Sequence, residues 1–170
     1  LTDRGAGVLR RCGYAGAMVN YRRNRVAGGT YFFTVTLQDR RSDLLVREID
    51  ALKQAWRNAA RRVPHLVLAA VVLPEHLHAV IQMEANTDNY PRLWQDIKKG
   101  FTRRVFAPRH QSPWQARYWE RTIRDASQLQ ACVDYVHINP LKHGWVTAVR
   151  DWPYSTFHRY VSEGLLPEDW

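Results

Sequence analysis

Two histidines carry the first chemical signal in the sequence. His76 and His78 are separated by one residue in the run HLHAVIQM, whose alternating character is typical of a β-strand. Side chains alternate along a strand, so both imidazoles point to one face, about 7 Å apart, and can share one divalent cation. The same short pattern also occurs as two polar residues at a strand end, and the spacing alone leaves both interpretations open.

A phenol and an amide form the second signal, in the segment DYVHINPLKHGW. Leu129, Cys132, Val133 and Val136 recur at helical spacing and predict the buried stripe of a helix. Tyr135 lies at the edge of that stripe, and Asn139 follows one turn later on the face of the tyrosine. The helix can thus present a phenol and an amide oxygen together. Taken singly, the tyrosine is also explained as a packed aromatic and the asparagine as a helix C-cap.

The surrounding pattern predicts the elements that must position these side chains. The first half of the chain predicts a strand from Thr30, a helix from Ser42 or Asp43 through Trp56, and two strands over His65–Leu73 and His76–Met83. The second half predicts a helix from Pro91 through Val105 and a strand over Tyr118–Ile123. A third helix then begins at a capping box of Ser127 and Gln130. Pro140 predicts the end of the third helix. Pro74 and Glu75 form the turn of a tight antiparallel hairpin.

This order of elements predicts the fold class α+β. Strand, helix, strand, strand, helix, strand is the order of a ferredoxin-like split βαβ unit, in which two helices cover one face of an antiparallel sheet. The third helix is an additional C-terminal element that is free to lie on the other face. Residues 18–170 are interpreted as one domain, and residues 1–17, which show no periodicity, as a flexible arm.

Composition and charge narrow the function. The 170 residues are 45% hydrophobic and 12% aromatic, which excludes wholesale disorder. A net charge of +9 predicts attraction to a polyanion. The two cysteines make no disulfide framework, and no apolar run is long enough to span a membrane. We therefore expect a protein of a reducing cytoplasm that has no membrane partner.

Several separated motifs resemble one known family. The runs YRRNRVAGGTYFFTVTL, LPEHLHAVIQ, WQARYWERTIRD, DYVHINPLKHGWV and WPYSTFHRYV stand in the order found in REP-associated tyrosine transposases, bacterial members of the single-tyrosine HUH nucleases. The resemblance runs from about Tyr21 to Val161. It implies the ferredoxin-like fold inferred above and a single-stranded DNA hairpin as substrate.

The resemblance also implies a role for each candidate residue. Tyr135 corresponds to the nucleophile that forms a 5′-phosphotyrosine, and His76 and His78 correspond to ligands of a catalytic Mg²⁺ or Mn²⁺. The third ligand falls on Asn139, where insertion-sequence relatives usually carry glutamine. Two imidazoles favour Mn²⁺ over Mg²⁺. His137 and His143 are alternative third ligands, and Tyr118, Tyr154 or water are alternative nucleophiles.

Basic residues interleaved with aromatic ones fit such a substrate, because cations hold phosphates while aromatic rings stack unpaired bases. The predicted DNA-binding residues are Arg22, Arg23, Arg25, Arg40, Arg41, Lys98, Lys99, Arg103, Arg104, Arg117, Arg121 and Lys142. We expect a monomer that acts in the bacterial cytoplasm at the nucleoid. Two alternatives remain, namely a regulator that binds hairpins without turnover, and a replication or conjugation initiator of the HUH class.

Overall fold

The structure, a computed structural model, describes residues 24–106 and 111–170. In these ranges the elements are β1 (Thr30–Thr36), α1 (Leu44–Arg47), α2 (Ile49–Ala60), β2 (His65–Val72), β3 (His76–Met83), α3 (Tyr90–Val105), β4 (Trp119–Ile123), α4 (Ala126–Lys142), a 3₁₀ turn (Val149–Asp151) and α5 (Phe157–Ser162). The predicted arm at 1–17, with Arg22 and Arg23, lies outside the described residues. None of the helices described is both long enough and apolar enough to cross a bilayer.

The four strands form one antiparallel sheet in the order β2-β3-β1-β4. This is the strand order of a ferredoxin-like split βαβ unit, so the predicted fold class is confirmed. The predicted hairpin of β2 and β3 is also present. In the register between β1 and β3, Thr36 lies opposite His76 and Thr34 lies opposite His78. The two histidines therefore begin a central strand, with neighbouring strands on both sides.

Alternation along β1 sorts the core into two layers. Phe33 and Val35 pack with Trp94 of α3 and with the apolar side of α2. Phe32 points the other way and packs with Val136 of α4. Helices α2 and α3 thus cover one face of the sheet, and α4 covers the face that carries the histidines.

The first predicted helix is divided in the structure. Instead of one helix from Ser42 or Asp43, there are two, α1 and α2, separated at Glu48, whose backbone leaves the helical region with φ −108° and ψ 35°. Asp43 precedes α1 without a side-chain cap. The Leu45 amide donates to the Pro74 carbonyl at 3.0 Å, so a contact with the β2–β3 turn holds α1 in place. The sequence periodicity carries no sign of this tertiary contact.

The predicted start and end of α4 are both wrong. The cap is Asp125, not Ser127, because the Asp125 carboxylate accepts from the Gln128 amide at 2.8 Å and from the Gln128 side chain at 2.7 Å. The capping motif therefore lies two residues earlier than the proposed pair of Ser127 and Gln130. The helix also does not stop before Pro140 but continues to Lys142.

Burial explains why α4 tolerates its proline. Pro140 removes one backbone donor, the one that would have reached the Val136 carbonyl, and such a loss costs about 3 kcal/mol in a helix interior. Asn139 and Pro140 are buried, and the His143 amide donates to the Asn139 carbonyl at 3.0 Å, so the last turn is completed. Packing of the buried face outweighs the missing bond.

The segment 152–160, called the strap, runs along the outer edge of β2. The Thr156 amide donates to the Ala70 carbonyl at 2.8 Å, and the Val72 amide donates to the Tyr154 carbonyl at 2.9 Å. The Arg159 guanidinium reaches the Val67 and Leu68 carbonyls. The strap thus gives this edge of the sheet the partners that a further strand would supply.

His137 anchors α4 to the strap and α5. Its Nε2 lies 3.1 Å from the Thr156 hydroxyl, and its ring packs against Phe157 and Tyr160. Burial lowers the pKa of His137 to about 4, with the nearby Arg159 acting in the same direction. The imidazole is therefore neutral in the folded protein at neutral pH.

We predict that His137 makes folding acid-sensitive. The unfolded chain protonates this histidine near pH 6.5 and the folded chain only near pH 4, so stability falls as pH falls through that window, by about 3 kcal/mol from this group. His137→Phe should reduce the pH dependence of urea unfolding between pH 6.5 and 4 relative to the wild type. An unaltered slope in His137→Phe would contradict the assignment.

Candidate active site

An open cavity of about 510 Å³ lies on the face of the sheet that α4 covers. Strands β1 and β3 form its floor, α4 forms one wall, and the segment leading into β4 forms another. Its lining residues are Phe32, Thr34, Thr36, Arg40, His76, His78, Gln115, Arg117, Tyr118, Trp119, Tyr135, Lys142 and His143. The histidine pair and Tyr135, which lie far apart in the sequence, are thus brought together.

The two predicted imidazoles are neighbours in this cavity. The ring centroids of His76 and His78 are 4.8 Å apart, and the rings are nearly perpendicular, at 82°. Both side chains are largely buried, with 4% and 5% of their residue surfaces exposed. The alternation of β3 therefore has the effect predicted from the sequence, since it places both rings on one face.

One nitrogen of each ring is occupied by the protein. The Nδ1 of His76 lies 2.9 Å from a Glu75 carboxylate oxygen, which can only accept, so Nδ1 donates. The Nδ1 of His78 lies 2.9 Å from the Thr34 hydroxyl, and the His78 ring also has a hydrogen bond with the Phe33 backbone. With Nδ1 engaged in both rings, Nε2 is the nitrogen through which a neutral ring would bind a metal.

Burial keeps both rings neutral. It lowers the pKa of His76, although the Glu75 carboxylate partly opposes this effect. Burial lowers the pKa of His78 well below its usual value, and the positive charge of a protonated His76 would lower it further. A neutral imidazole has the lone pair that coordination requires, so the pair is suited to a cation at neutral pH.

Tyr135 packs directly on His78, one member of this pair. Its ring centroid is 5.3 Å from that of His78 and 5.8 Å from that of Phe32. The Lys142 ammonium lies 4.8 Å from the same ring. The Tyr135 ring therefore stands beside one of the two candidate ligands, His78, and beside a positive charge.

The structure buries Asn139 one turn after Tyr135. Its side-chain amide donates to the Tyr135 carbonyl at 3.5 Å, and its Oδ1 has no hydrogen-bond partner among the described residues. A buried amide oxygen without a partner is a costly group that a ligand would satisfy. Asn139 does not line the cavity, so the structure does not bring the predicted third ligand to the histidine pair.

The alternative ligands occupy different places. His137 faces the strap, away from the cavity, which excludes it as a partner of the histidine pair. His143 lines the cavity, with its ring centroid 5.4 Å from that of His76. In the described part of the chain, no three His, Cys, Asp or Glu side chains converge as a metal site. A third protein ligand at this pair would therefore be of another type, such as an amide oxygen.

The two alternative tyrosines also lie in different places. Tyr118 lines the same cavity as Tyr135. Tyr154 belongs to the strap and lines an apolar groove beside α2 and the edge of β2. Tyr154 is therefore remote from the histidine pair, and Tyr118 remains the alternative to Tyr135.

The predicted DNA-binding residues fall into several groups. Arg40, Arg117 and Lys142 line the cavity. Lys98, Lys99, Arg103 and Arg104 lie on α3, where the Lys98 ammonium is 5.4 Å from the Tyr118 ring. Arg121 lines a cleft beside β4. Two others have acidic neighbours, since Arg25 pairs with Asp88 at 2.6 Å and Arg41 approaches Asp39 at 3.9 Å.

The distribution of charge between the two faces was not foreseen from the sequence. Two segments form the helical face: α2 with the two residues after it (residues 49–62), and α3 (residues 90–105). Together they contain nine lysines and arginines and only two acidic residues. Asp96, one of the two, is paired with Arg62 and Arg92. Most of the net charge of +9 therefore lies on the helical face, across the sheet from the cavity.

Sequence comparison finds close relatives, although no family model matches the chain. The chain is 46% identical over 153 residues to the REP-associated tyrosine transposase of Escherichia coli strain K12, covering 90% of this chain and 91% of that protein. A relative from Haemophilus influenzae is 40% identical over 164 residues, covering 90% of this chain and 93% of that protein. A solved structure of a REP-associated tyrosine transposase bound to a REP hairpin superposes with a TM-score of 0.85 at 45% identity, covering 90% and 91% of the two chains.

The geometry predicts how the chain binds a divalent cation. Titration of Mn²⁺ into the wild type, followed by calorimetry, should show one site, and His78→Ala should abolish it at micromolar metal. Asn139→Leu should weaken binding, whereas Asn139→Gln, which keeps the carbonyl, should retain part of it. Melting temperatures check that each Asn139 variant, which alters a buried side chain, is folded.

His158→Ala removes an exposed histidine outside the cavity and serves as the matched control. It should bind Mn²⁺ as the wild type does. Wild-type affinity in a folded Asn139→Leu variant would remove Asn139 from the ligand set.

Proposed function

Because this chain belongs to the REP-associated tyrosine transposases, we propose that it is a metal-dependent endonuclease and strand transferase for single-stranded DNA, acting on palindromic REP-type hairpins. The observation that carries the proposal is the contact between the Tyr135 ring and His78 in a cavity that His76 also lines, with Nδ1 of each histidine engaged by the protein. A nucleophile and a cation site share one cavity.

Tyr135 would act by attacking a phosphodiester. The bond from its phenol oxygen to phosphorus forms as the bond from phosphorus to O3′ breaks, leaving a 5′-phosphotyrosine and a free 3′-hydroxyl. The phenol gives up a proton and O3′ takes one up, so the proton count is unchanged. Since the ester bond is conserved, a second 3′-hydroxyl can reverse the step and join strands.

The two imidazoles fit a divalent cation. The Nε2 atoms of His76 and His78 would hold it, with Mn²⁺ favoured over Mg²⁺. Asn139, whose buried Oδ1 has no hydrogen-bond partner among the described residues, would have to turn toward the cavity to act as the third ligand. When bound, the cation neutralises charge on the non-bridging phosphate oxygens. Lys142, against the Tyr135 ring, would hold the same phosphate from the other side.

The basic surfaces fit two parts of a hairpin substrate. Arg40 and Arg117 at the cavity would hold the strand to be cut, beside the exposed ring of Trp119 on which a base can stack. The helical face of α2 and α3 would hold further phosphates of the folded DNA. Hairpin binding is supported by the hairpin-bound relative.

Of the alternatives, a regulator that only binds hairpins shares the fold and the basic surfaces. It would make no use of a tyrosine packed on His78 in the cavity that His76 also lines, so a covalent adduct decides between them. The replication or conjugation initiator has no observation in its favour, since the relatives found are transposases. We further propose that the protein acts as a monomer at the bacterial nucleoid.

We predict that Tyr135→Phe separates binding from cleavage. End-labelled hairpin DNA incubated with Mn²⁺ and the wild type should give a labelled band at the mass of the protein on a denaturing gel. Tyr135→Phe should lose the band and the cleaved product but keep hairpin affinity, because only the hydroxyl is removed. Tyr154→Phe, outside the cavity, is the control and should cleave normally.

Tyr118→Phe tests the other tyrosine of the cavity. It should still form the adduct. Loss of the adduct in Tyr118→Phe together with its persistence in Tyr135→Phe would exchange the two assignments, and absence of an adduct in the wild type would favour the regulator.

We predict that the helical face contributes to DNA affinity. Arg103→Glu on α3 and Arg150→Glu on the 3₁₀ turn lower the net charge by the same amount. A difference in DNA affinity between the two variants therefore reflects where the charge lies on the surface. Arg103→Glu should weaken hairpin binding and reduce the slope of log affinity against log salt by about 0.7 to 0.9, the loss of about one phosphate contact. Equal effects of the two variants would show that only net charge matters.

A further inference from the structure

The turn between β2 and β3 is held from three directions. The Leu37 amide donates to the Glu75 carbonyl at 2.8 Å, and the Leu45 amide donates to the Pro74 carbonyl at 3.0 Å. Across the turn itself, the Leu73 amide donates to the His76 carbonyl at 2.8 Å. The backbone of Glu75 is thus fixed by the end of β1 and by α1, before its side chain is considered.

The Glu75 side chain lies between two nitrogen groups. One carboxylate oxygen accepts from Nδ1 of His76 at 2.9 Å and lies 3.4 Å from the Arg40 guanidinium. The side chain is 12% exposed, so the carboxylate has lost much of its hydration and needs these partners. The Arg40 guanidinium compensates the negative charge of the carboxylate, and the Nδ1–H of His76 donates a hydrogen bond to it.

This contact selects one form of the imidazole. A neutral imidazole carries one proton, and a carboxylate at Nδ1 places it there and leaves the lone pair on Nε2. Without the carboxylate, the proton can sit on either nitrogen, and the Nε2–H form cannot bind a cation through Nε2. A carboxylate behind a ligating histidine also makes that histidine a stronger donor.

We propose that Glu75 is a positioning residue of the active site, which fixes His76 as the Nδ1–H tautomer and aims its Nε2 at the cation site, while Arg40 holds the carboxylate in place. The part that concerns the cation rests on the proposed function. The part that concerns the tautomer rests on the contact between Glu75 and His76 alone. Thr34 has the corresponding place behind His78, through a neutral hydroxyl.

The first test measures the tautomer without metal, DNA or turnover. Long-range ¹H–¹⁵N correlation spectra of the imidazoles should show His76 as the Nδ1–H form in the wild type, and a shift toward Nε2–H in Glu75→Ala. Glu75→Gln, whose amide oxygen still accepts, should keep the wild-type tautomer. His78 should be unaltered in both variants and serves as an internal standard. An unchanged His76 tautomer in Glu75→Ala would overturn the proposal.

The second test measures Mn²⁺ affinity in the absence of DNA. Glu75→Ala should bind about 10- to 100-fold more weakly than the wild type, the range found when such a supporting group is lost, and Glu75→Gln should fall between them. Glu84→Gln, an exposed glutamate beyond the far end of β3, makes the same charge change and should bind as the wild type does. Wild-type affinity in a folded Glu75→Ala variant would overturn the metal part.

The two tests separate the proposals. A wild type that binds no Mn²⁺ would refute the metal site of the proposed function, while the tautomer measurement would still decide the role of Glu75. A wild type that binds Mn²⁺, with tautomer and affinity both unchanged in Glu75→Ala, would refute the role of Glu75 and leave the proposed function standing. Melting temperatures confirm that the variants compared are folded.

Discussion

The burial of two imidazoles in a central strand is the constraint on which this site depends. A polar ring taken out of water must find hydrogen-bond partners or destabilise the fold. At Nδ1, His76 and His78 find theirs in Glu75 and Thr34, which come from the turn and from the neighbouring strand. Both rings also line the cavity. The same packing that stabilises the sheet therefore orients the rings.

The unbroken course of α4 supplies the second half of the site. Had the helix ended before Pro140, Lys142 and His143 would not have been carried to the cavity by a regular last turn. Instead the helix continues, the Lys142 ammonium comes to rest over the Tyr135 ring, and the His143 ring approaches His76. Proline usually terminates a helix, but Pro140 lies in the last turn of α4, which completes the cavity wall.

The sequence predicted what depends on short-range periodicity. Alternation placed His76 and His78 on one face, helical spacing placed Tyr135 at the edge of a buried stripe, and the order of elements predicted the sheet. The break at Glu48 and the passage of α4 through Pro140 could not be predicted in this way, because contacts with the β2–β3 turn and burial against the sheet decide them. The contact between Glu75 and His76 was not predicted, although the position of Glu75 directly before His76 was a usable signal.

The strap has a consequence for the behaviour of the protein in solution. An uncovered edge strand invites pairing with another chain, and here the edge of β2 is occupied by segment 152–160. The strap, which protects the sheet edge from aggregation, and the cavity, which holds the candidate site, are therefore different parts of the molecule. A mutation that loosens the strap would first cause aggregation through β2, while the side chains of the cavity are still in place.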